Sequence, residues 1–225
     1  MDRSTAFRIG VNRALPLGLA GLPFGLVYGA AVADSAVSSG LGLAGSWIVL
    51  AGAAQLTLVD LIDSDARWFV AIGAALLINA RFALYSAAMG PALREQPVLW
   101  RFGLPYLMTD QAASLSIEWF EEEDDPVLRR WFFLGAGLCF ASGWWIGSTV
   151  GVLSGAALPE SLDISFAIPA MFIALLIPAL RSSRALRVAI VAGVVTVLAA
   201  PLPTGANVLV GAVAGLAVAG REEAS

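Results

Sequence analysis

The sequence predicts an all-α fold: a polytopic bundle of seven or eight transmembrane helices forming one domain over residues 1–225. Three observations carry this. Of the 225 residues, 59% are hydrophobic and 13% charged, and the mean hydropathy is +0.82, which is a membrane composition. Uncharged runs at 14–33, 35–59, 131–159, 164–180 and 188–220 mostly reach or exceed the roughly 20 residues that a helix needs to cross about 30 Å of hydrocarbon. The runs do not alternate apolar and polar residues at period two, as membrane-spanning strands do.

In chain order the spans fall at 14–33, 44–62, 68–90, 102–117, 131–153, 164–180, 186–200 and 203–219. The first follows a charged start but continues too far for a secretory leader, so it reads as a retained helix. The last two separate only at Pro201-Leu202-Pro203-Thr204-Gly205, a helix-breaking stretch; without that break the count is seven. Pro16 and Pro23 interrupt the first span as Pro169 and Pro178 interrupt the sixth, an echo of the inverted repeats with discontinuous helices found in transporters.

With eight spans and the N-terminus inside, ten arginines (3, 8, 13, 67, 129, 130, 181, 184, 187 and 221) are cytoplasmic, and Arg94 and Arg101 lie outside. That bias places the N-terminus in the cytoplasm of a multi-pass cell-membrane protein in contact with lipid.

Composition also removes classes of function. Histidine is absent and all 13 basic residues are arginine, so Ser-His and Cys-His catalysis and the commonest metal ligand are gone. No basic face points to nucleic acid. Cys139 is the one cysteine, so no internal disulfide forms. The acidic run Glu121 to Asp125 precedes Pro126 between two spans and reads as a solvated loop rather than a metal site. No cofactor is expected, and a membrane enzyme finds no support.

Small residues recur every fourth position at Gly135, Cys139, Gly143, Gly147, Gly151 and Gly155. They form one continuous groove along a helix face. Gly21, Gly25, Gly29 and Ala33 repeat the device, as do Gly211, Gly215 and Ala219. Such ridges serve internal packing or a second membrane subunit.

Arg81 is the only charge between Trp68 and Leu93. A guanidinium at mid-bilayer costs about 2.5–17 kcal/mol, depending on how it is measured, unless it faces a cavity, a carboxylate or carbonyls. The best acidic candidate for a partner is Asp110, centre of a Tyr106–Asp110–Ser114 stripe at helical spacing. The pair is either a fixed structural bridge or part of a site in which Asp110 titrates. Asn79 and Arg81 lie about 200° apart on a regular helix, so joint use of both requires a local break there. Tyr85 shares the face of Arg81. Gln55, beside Gly52, Ala53 and Ala54, either binds a ligand or makes an interhelical hydrogen bond.

These residues carry a resemblance. PLGLAGLPFGLVYG (16–29), AGAAQ (51–55), NARFALYSAAMGP (79–91), LMTDQ (107–111), WWIGSTVGVLSG (144–155) and LDISFAIPAMFIALLIP (162–178) resemble the AzlC family of branched-chain amino acid permeases, the large subunits of two-component exporters. The resemblance implies export of leucine, isoleucine, valine and similar apolar amino acids, coupling to the proton gradient, and a small four-helix AzlD-type partner. Family members often carry His after the motif arginine and Glu after the aspartate; Phe82 and Gln111 stand here, leaving Asp110 to carry any coupled proton. In that reading Arg81 takes the substrate carboxylate, and Asp110 takes its ammonium or carries the coupled proton. Asn79 and Gln55 add polar contacts, and Phe24, Phe82, Tyr85 and Phe172 line the apolar pocket. A non-transporting structural subunit or a channel-like protein is the alternative.

Overall fold

The computed structural model describes residues 1–155, 180, 182–201 and 206–223. Every regular element among them is helical. The chain divides into two compact units, Met1–Ala167 and Ile168–Ser225. Three described helices are long and apolar enough to cross a membrane: Arg3–Asp34, Trp68–Leu93 and Pro126–Ser154.

Two of these form the spine of the first unit. Helix α1 (Arg3–Asp34) starts where the Asp2 carboxylate accepts the Thr5 amide at 2.9 Å, which satisfies one of the N–H groups that the first turn leaves open. It runs parallel to α8 (Pro126–Ser154). The contacts advance together along both chains, from Gly10 on Phe132, through Gly18 on Cys139, to Gly29 on Ser148 and Val152. The glycine ridges make this approach possible. A Cβ on Gly143, Gly147 or Gly151 would fall against the carbonyls of Gly18, Leu22 and Leu26, and one on Gly25 would lie 2.7 Å from the Ser148 nitrogen and the Trp144 oxygen. Both ridges are therefore filled by each other. Gly155, expected on this ridge from its spacing, is not part of it. Its φ of 54° ends α8, and nothing lies within 4 Å of the side it would present, because a glycine at positive φ leaves the helical path.

The segments expected as spans at 44–62 and 102–117 are not single helices. The first divides into α2 (Ser39–Ile48) and α3 (Gly52–Asp63). Its two ends come together, since Asp63 Oδ1 accepts the Ala36 amide at 3.1 Å, so the segment is a hairpin with its tip at residues 49–51. The break has a local cause. Gln55 Oε1 accepts the Ala51 amide at 3.3 Å, a side-chain bond that competes with the helical ladder.

The third long helix, Trp68–Leu93, comprises α4 (Trp68–Asn79) and α5 (Arg81–Leu93); Ala80 between them keeps helical angles (φ −56°, ψ −25°), so the backbone tightens there without the unwinding expected at Asn79–Arg81. Next come α6 (Val98–Gly103), a 3-10 turn at Leu104–Leu107 and α7 (Asp110–Phe120). These make a second hairpin, with its tip at Met108–Thr109. Pro105 lacks the donor that would continue a helix, and the Thr109 hydroxyl accepts the Ala112 amide at 3.3 Å to start α7 afresh. The Tyr106–Asp110–Ser114 stripe is consequently cut: Tyr106 and Asp110 lie on different elements.

The second hairpin opens at the opposite end of the unit, where Gln96 Nε2 donates to the Pro126 carbonyl and Arg13 pairs with Glu122 at 3.9 Å. Arg94 and Arg101 therefore share the end that carries the starts of α1 and α8, not the opposite end expected from eight spans. The tips also meet. The Tyr106 hydroxyl donates to the Trp47 carbonyl, and the rings of Trp47 and Tyr106 both stack on Trp145, at 5.1 and 6.5 Å.

In the second unit the uncharged run 188–220 forms two helices, α9 (Ser183–Leu198) and α10 (Ala206–Glu223). Gly211 packs on Thr196 and Ala192, and Gly215 on Ala192 and Val188, while Arg184 Nη2 donates to the Ala219 carbonyl at 2.8 Å. This third ridge is internal too. The expected span at 164–180, with Phe172, Pro169 and Pro178, lies outside the described residues, and so does that half of the inverted-repeat comparison.

Candidate functional site

The interruption at Ala80 makes Arg81 the first residue of α5, and the tip of the second hairpin makes Asp110 the first residue of α7. Arg81 Nη1 lies 3.0 Å from Asp110 Oδ2, with the two side chains 25% and 20% exposed. One turn along α5, the Tyr85 hydroxyl donates to Asp110 Oδ1 at 2.8 Å. Both carboxylate oxygens are thus engaged, and the start of α7 adds the positive end of its dipole. Thr109, which caps that helix, is buried and fixes where the carboxylate stands.

Two polar atoms at this place are unsatisfied. Arg81 Nε and Asn79 Oδ1 are buried and have no hydrogen-bond partner among the described residues, although buried polar groups normally find one. Phe82 completes the wall: the Arg81 guanidinium lies 5.5 Å from its ring centre, and its ring is 6.2 Å from that of Tyr85.

Gln55 and Phe24 stand elsewhere, at the tip of the first hairpin. Gln55 is 6% exposed, and its Nε2 has no hydrogen-bond partner within bonding geometry among the described residues. Phe24 packs on Trp144 at 5.4 Å, with Tyr28 on the same indole at 5.3 Å, and Gly52 is so close to the Phe24 and Trp144 rings that a Cβ there would clash. Among the described residues no hydrogen bond or ring contact joins this group to Arg81 or Asp110. Gln55 and Phe24 thus stand beside the Arg81–Asp110 group without a direct bond to it. Phe82 lies between the two groups, packed against Ala51, Ala54 and Ala75.

Several residues here escaped the sequence reading. Trp144 donates from Nε1 to the Ser46 carbonyl at 3.2 Å, the Ser46 and Ser148 hydroxyls bond each other, and Tyr28 donates to the Gly42 carbonyl at 2.8 Å. Tyr28 could have been found, because it lies one helical turn from Phe24. The serine pair left no signal, since its members are 102 positions apart.

Among the described residues no group of His, Cys, Asp or Glu is placed to hold a metal. The acidic loop is used locally. Asp125 caps α8 through the Val127 amide at 2.7 Å, and Asp124 pairs with Arg129 at 3.2 Å.

Residues 16–158 match the AzlC family, described as AzlC protein. The chain belongs to the AzlC family. The match includes both hairpins, the interrupted helix and most of the α1–α8 spine, so every residue of the Arg81–Asp110–Tyr85 group lies inside the AzlC region. An uncharacterized membrane protein of Archaeoglobus fulgidus is 29% identical over 200 residues, covering 87% of this chain and 85% of that one. No solved structure matches. As an AzlC-family membrane protein the chain fits a permease or transporter role rather than a catalytic one.

Proposed function

We propose that this protein is a secondary transporter that exports branched-chain and similar apolar amino acids, with Arg81 and Asp110 as the two poles of its substrate site. The observation that carries the reading is the Arg81–Asp110 pair, 3.0 Å apart at the starts of α5 and α7, with polar atoms on Arg81 and Asn79 that have no hydrogen-bond partner among the described residues. A zwitterion can insert between the two charges, its carboxylate on the guanidinium and its ammonium on the aspartate. The exchange replaces one ion pair by two and leaves the site neutral, which favours zwitterions over solutes with net charge. Phe82 and the Tyr85 ring supply apolar surface beside it, while the Tyr85 hydroxyl keeps Asp110 in place. Gln55 and Phe24, across Phe82, form the far wall.

In this scheme Asp110 takes the coupled proton and the substrate ammonium in alternation, since Phe82 and Gln111 stand where many relatives have protonatable groups. The two hairpins enter the membrane from opposite faces, and their contact at Tyr106 and Trp47 opens as access alternates. The arginines gathered at the α1 end support a cytoplasmic N-terminus in the cell membrane. A small AzlD-type subunit is the partner. With the glycine ridges of α1 and α8 occupied by each other, it binds a different surface.

Counterflow of labelled leucine in vesicles, with and without that subunit, tests the reading. Saturable exchange that is lost in a folded Arg81→Ala variant supports it. Wild-type flux in that variant removes the carboxylate role, and absence of exchange by the native complex leaves a structural subunit.

A further inference from the structure

A cavity of about 490 Å³ lies between α5, the second hairpin and α8. Its lining contains two guanidiniums, Arg94 and Arg101, and no carboxylate. Neither guanidinium has an ion pair or side-chain hydrogen bond among the described residues. A third, Arg130, is 8% exposed, lies 4.6 Å from the centre of the Trp100 ring that helps line the cavity, and has an unpartnered Nε. The rest of the lining is largely apolar, including Met89, Trp100 and Met108.

Position gives this cavity its meaning. Arg94 and Arg101 stand at the end of the unit that holds the starts of α1 and α8. The inner lining reaches Ser86, which follows Tyr85, and Met108, two residues before Asp110. The cavity therefore extends from that end towards the hairpin tip that carries Asp110, although neither Arg81 nor Asp110 lines it. Its positive mouth complements a carboxylate and its body complements an aliphatic side chain.

We infer that this cavity is a docking vestibule for the free apolar amino acid on the N-terminal side, where Arg94 and Arg101 hold the carboxylate before the solute passes to Arg81. The inference rests on the transport reading and adds a second, earlier station to it. Cationic rims concentrate anionic groups at a cleft mouth, and a vestibule of this kind sets the apparent affinity on one side only.

The test places a thiol in the vestibule. Gly90 lines the cavity, and a Cβ there meets nothing within 4 Å, so Gly90→Cys in a Cys139→Ala background keeps the fold; Ser86→Cys is the second reporter. In the complex with its partner subunit, an anionic methanethiosulfonate should label this thiol faster than a cationic one. Leucine should slow labelling, whereas isoamylamine, which has the same side chain without the carboxylate, should not. Adding Arg94→Gln and Arg101→Gln should raise the leucine concentration that protects by about tenfold, and raise KM from the N-terminal side similarly, with maximal flux within about twofold.

Intact flux without leucine protection overturns the vestibule and leaves the transport reading standing. Protection that follows the anionic phospholipid content of the vesicle rather than leucine makes the cavity a lipid site and also overturns it. Neither flux nor protection sinks both.

Discussion

Replacing Arg81 and Asp110 by leucine, singly and together, separates what the pair does for the fold from what it does for transport. At 3.0 Å and an effective dielectric of about 20, the Coulomb attraction is about 5–6 kcal/mol. The side chains are 25% and 20% exposed, so solvent screening takes part of that away. Truncating one member strands the other charge in largely dry surroundings, at about 3–5 kcal/mol. Asp110→Leu also strands the Tyr85 hydroxyl, whereas Arg81→Leu leaves its bond to Asp110 intact. Each single variant should therefore lose about 3 kcal/mol or more, and the double variant should lose less than either. The assay is equilibrium unfolding in mixed micelles, read as a double-mutant cycle, with counterflow measured on the same preparations. The expected result is a double variant that recovers stability but transports nothing. Additive losses, with a coupling energy under about 0.5 kcal/mol, would refute the claim that these residues form one energetic unit.

The glycine ridge supplies its own control. Gly25→Ala puts a methyl 2.7 Å from two backbone atoms of α8 and should cost about 1–3 kcal/mol or more, whereas Gly73→Ala, with nothing within 4 Å, should stabilise α4 by about 0.5–1 kcal/mol; similar melting shifts in the two variants would contradict the packing. Tyr106→Phe removes the bond to the Trp47 carbonyl that joins the hairpin tips, so hydrogen exchange should rise at residues 49–52 and 108–110 together, and a change at one tip alone would show the tips to be independent. Hydrogen bonds from the Thr5 hydroxyl and amide hold the Asp2 carboxyl below its usual value. A depressed carboxyl stabilises above the unfolded value of about 3.9, and that contribution fades as pH falls through the lower folded value. The Thr5 amide should accordingly lose protection only in acid, and Asp2→Asn should remove that pH dependence.

Part of the site was legible in the sequence because burying a charge is costly. An arginine that is the only charge in 26 residues needs a cavity, a carboxylate or carbonyls, and Asp110 in the next apolar segment is the best acidic candidate; the 3.0 Å contact between them joins the two. Gln55 and Phe24 were assigned to the same pocket because nothing in one chain reports distance between helices. The structure seats Gln55 on the other hairpin and Phe24 on α1 beside its tip, across Phe82. Arg94 and Arg101 looked like exceptions to the arginine bias only while 102–117 was read as a crossing.

The sequence by itself determined the helical membrane class, the apolar runs and the small-residue faces, because these depend on composition and on periodicity along the chain; of the seven or eight spans it predicted, three described helices are long and apolar enough to cross a membrane. Tertiary structure alone decided that two apolar segments turn back as hairpins, that their tips meet at Tyr106 and Trp47, and that a cavity lined by Arg94 and Arg101 lies beside the second hairpin. The physical reason is that hydropathy measures how readily a residue leaves water and carries no direction. Whether a segment crosses or returns is set by bonds such as Ala36–Asp63 and Gln96–Pro126, between residues about 30 positions apart.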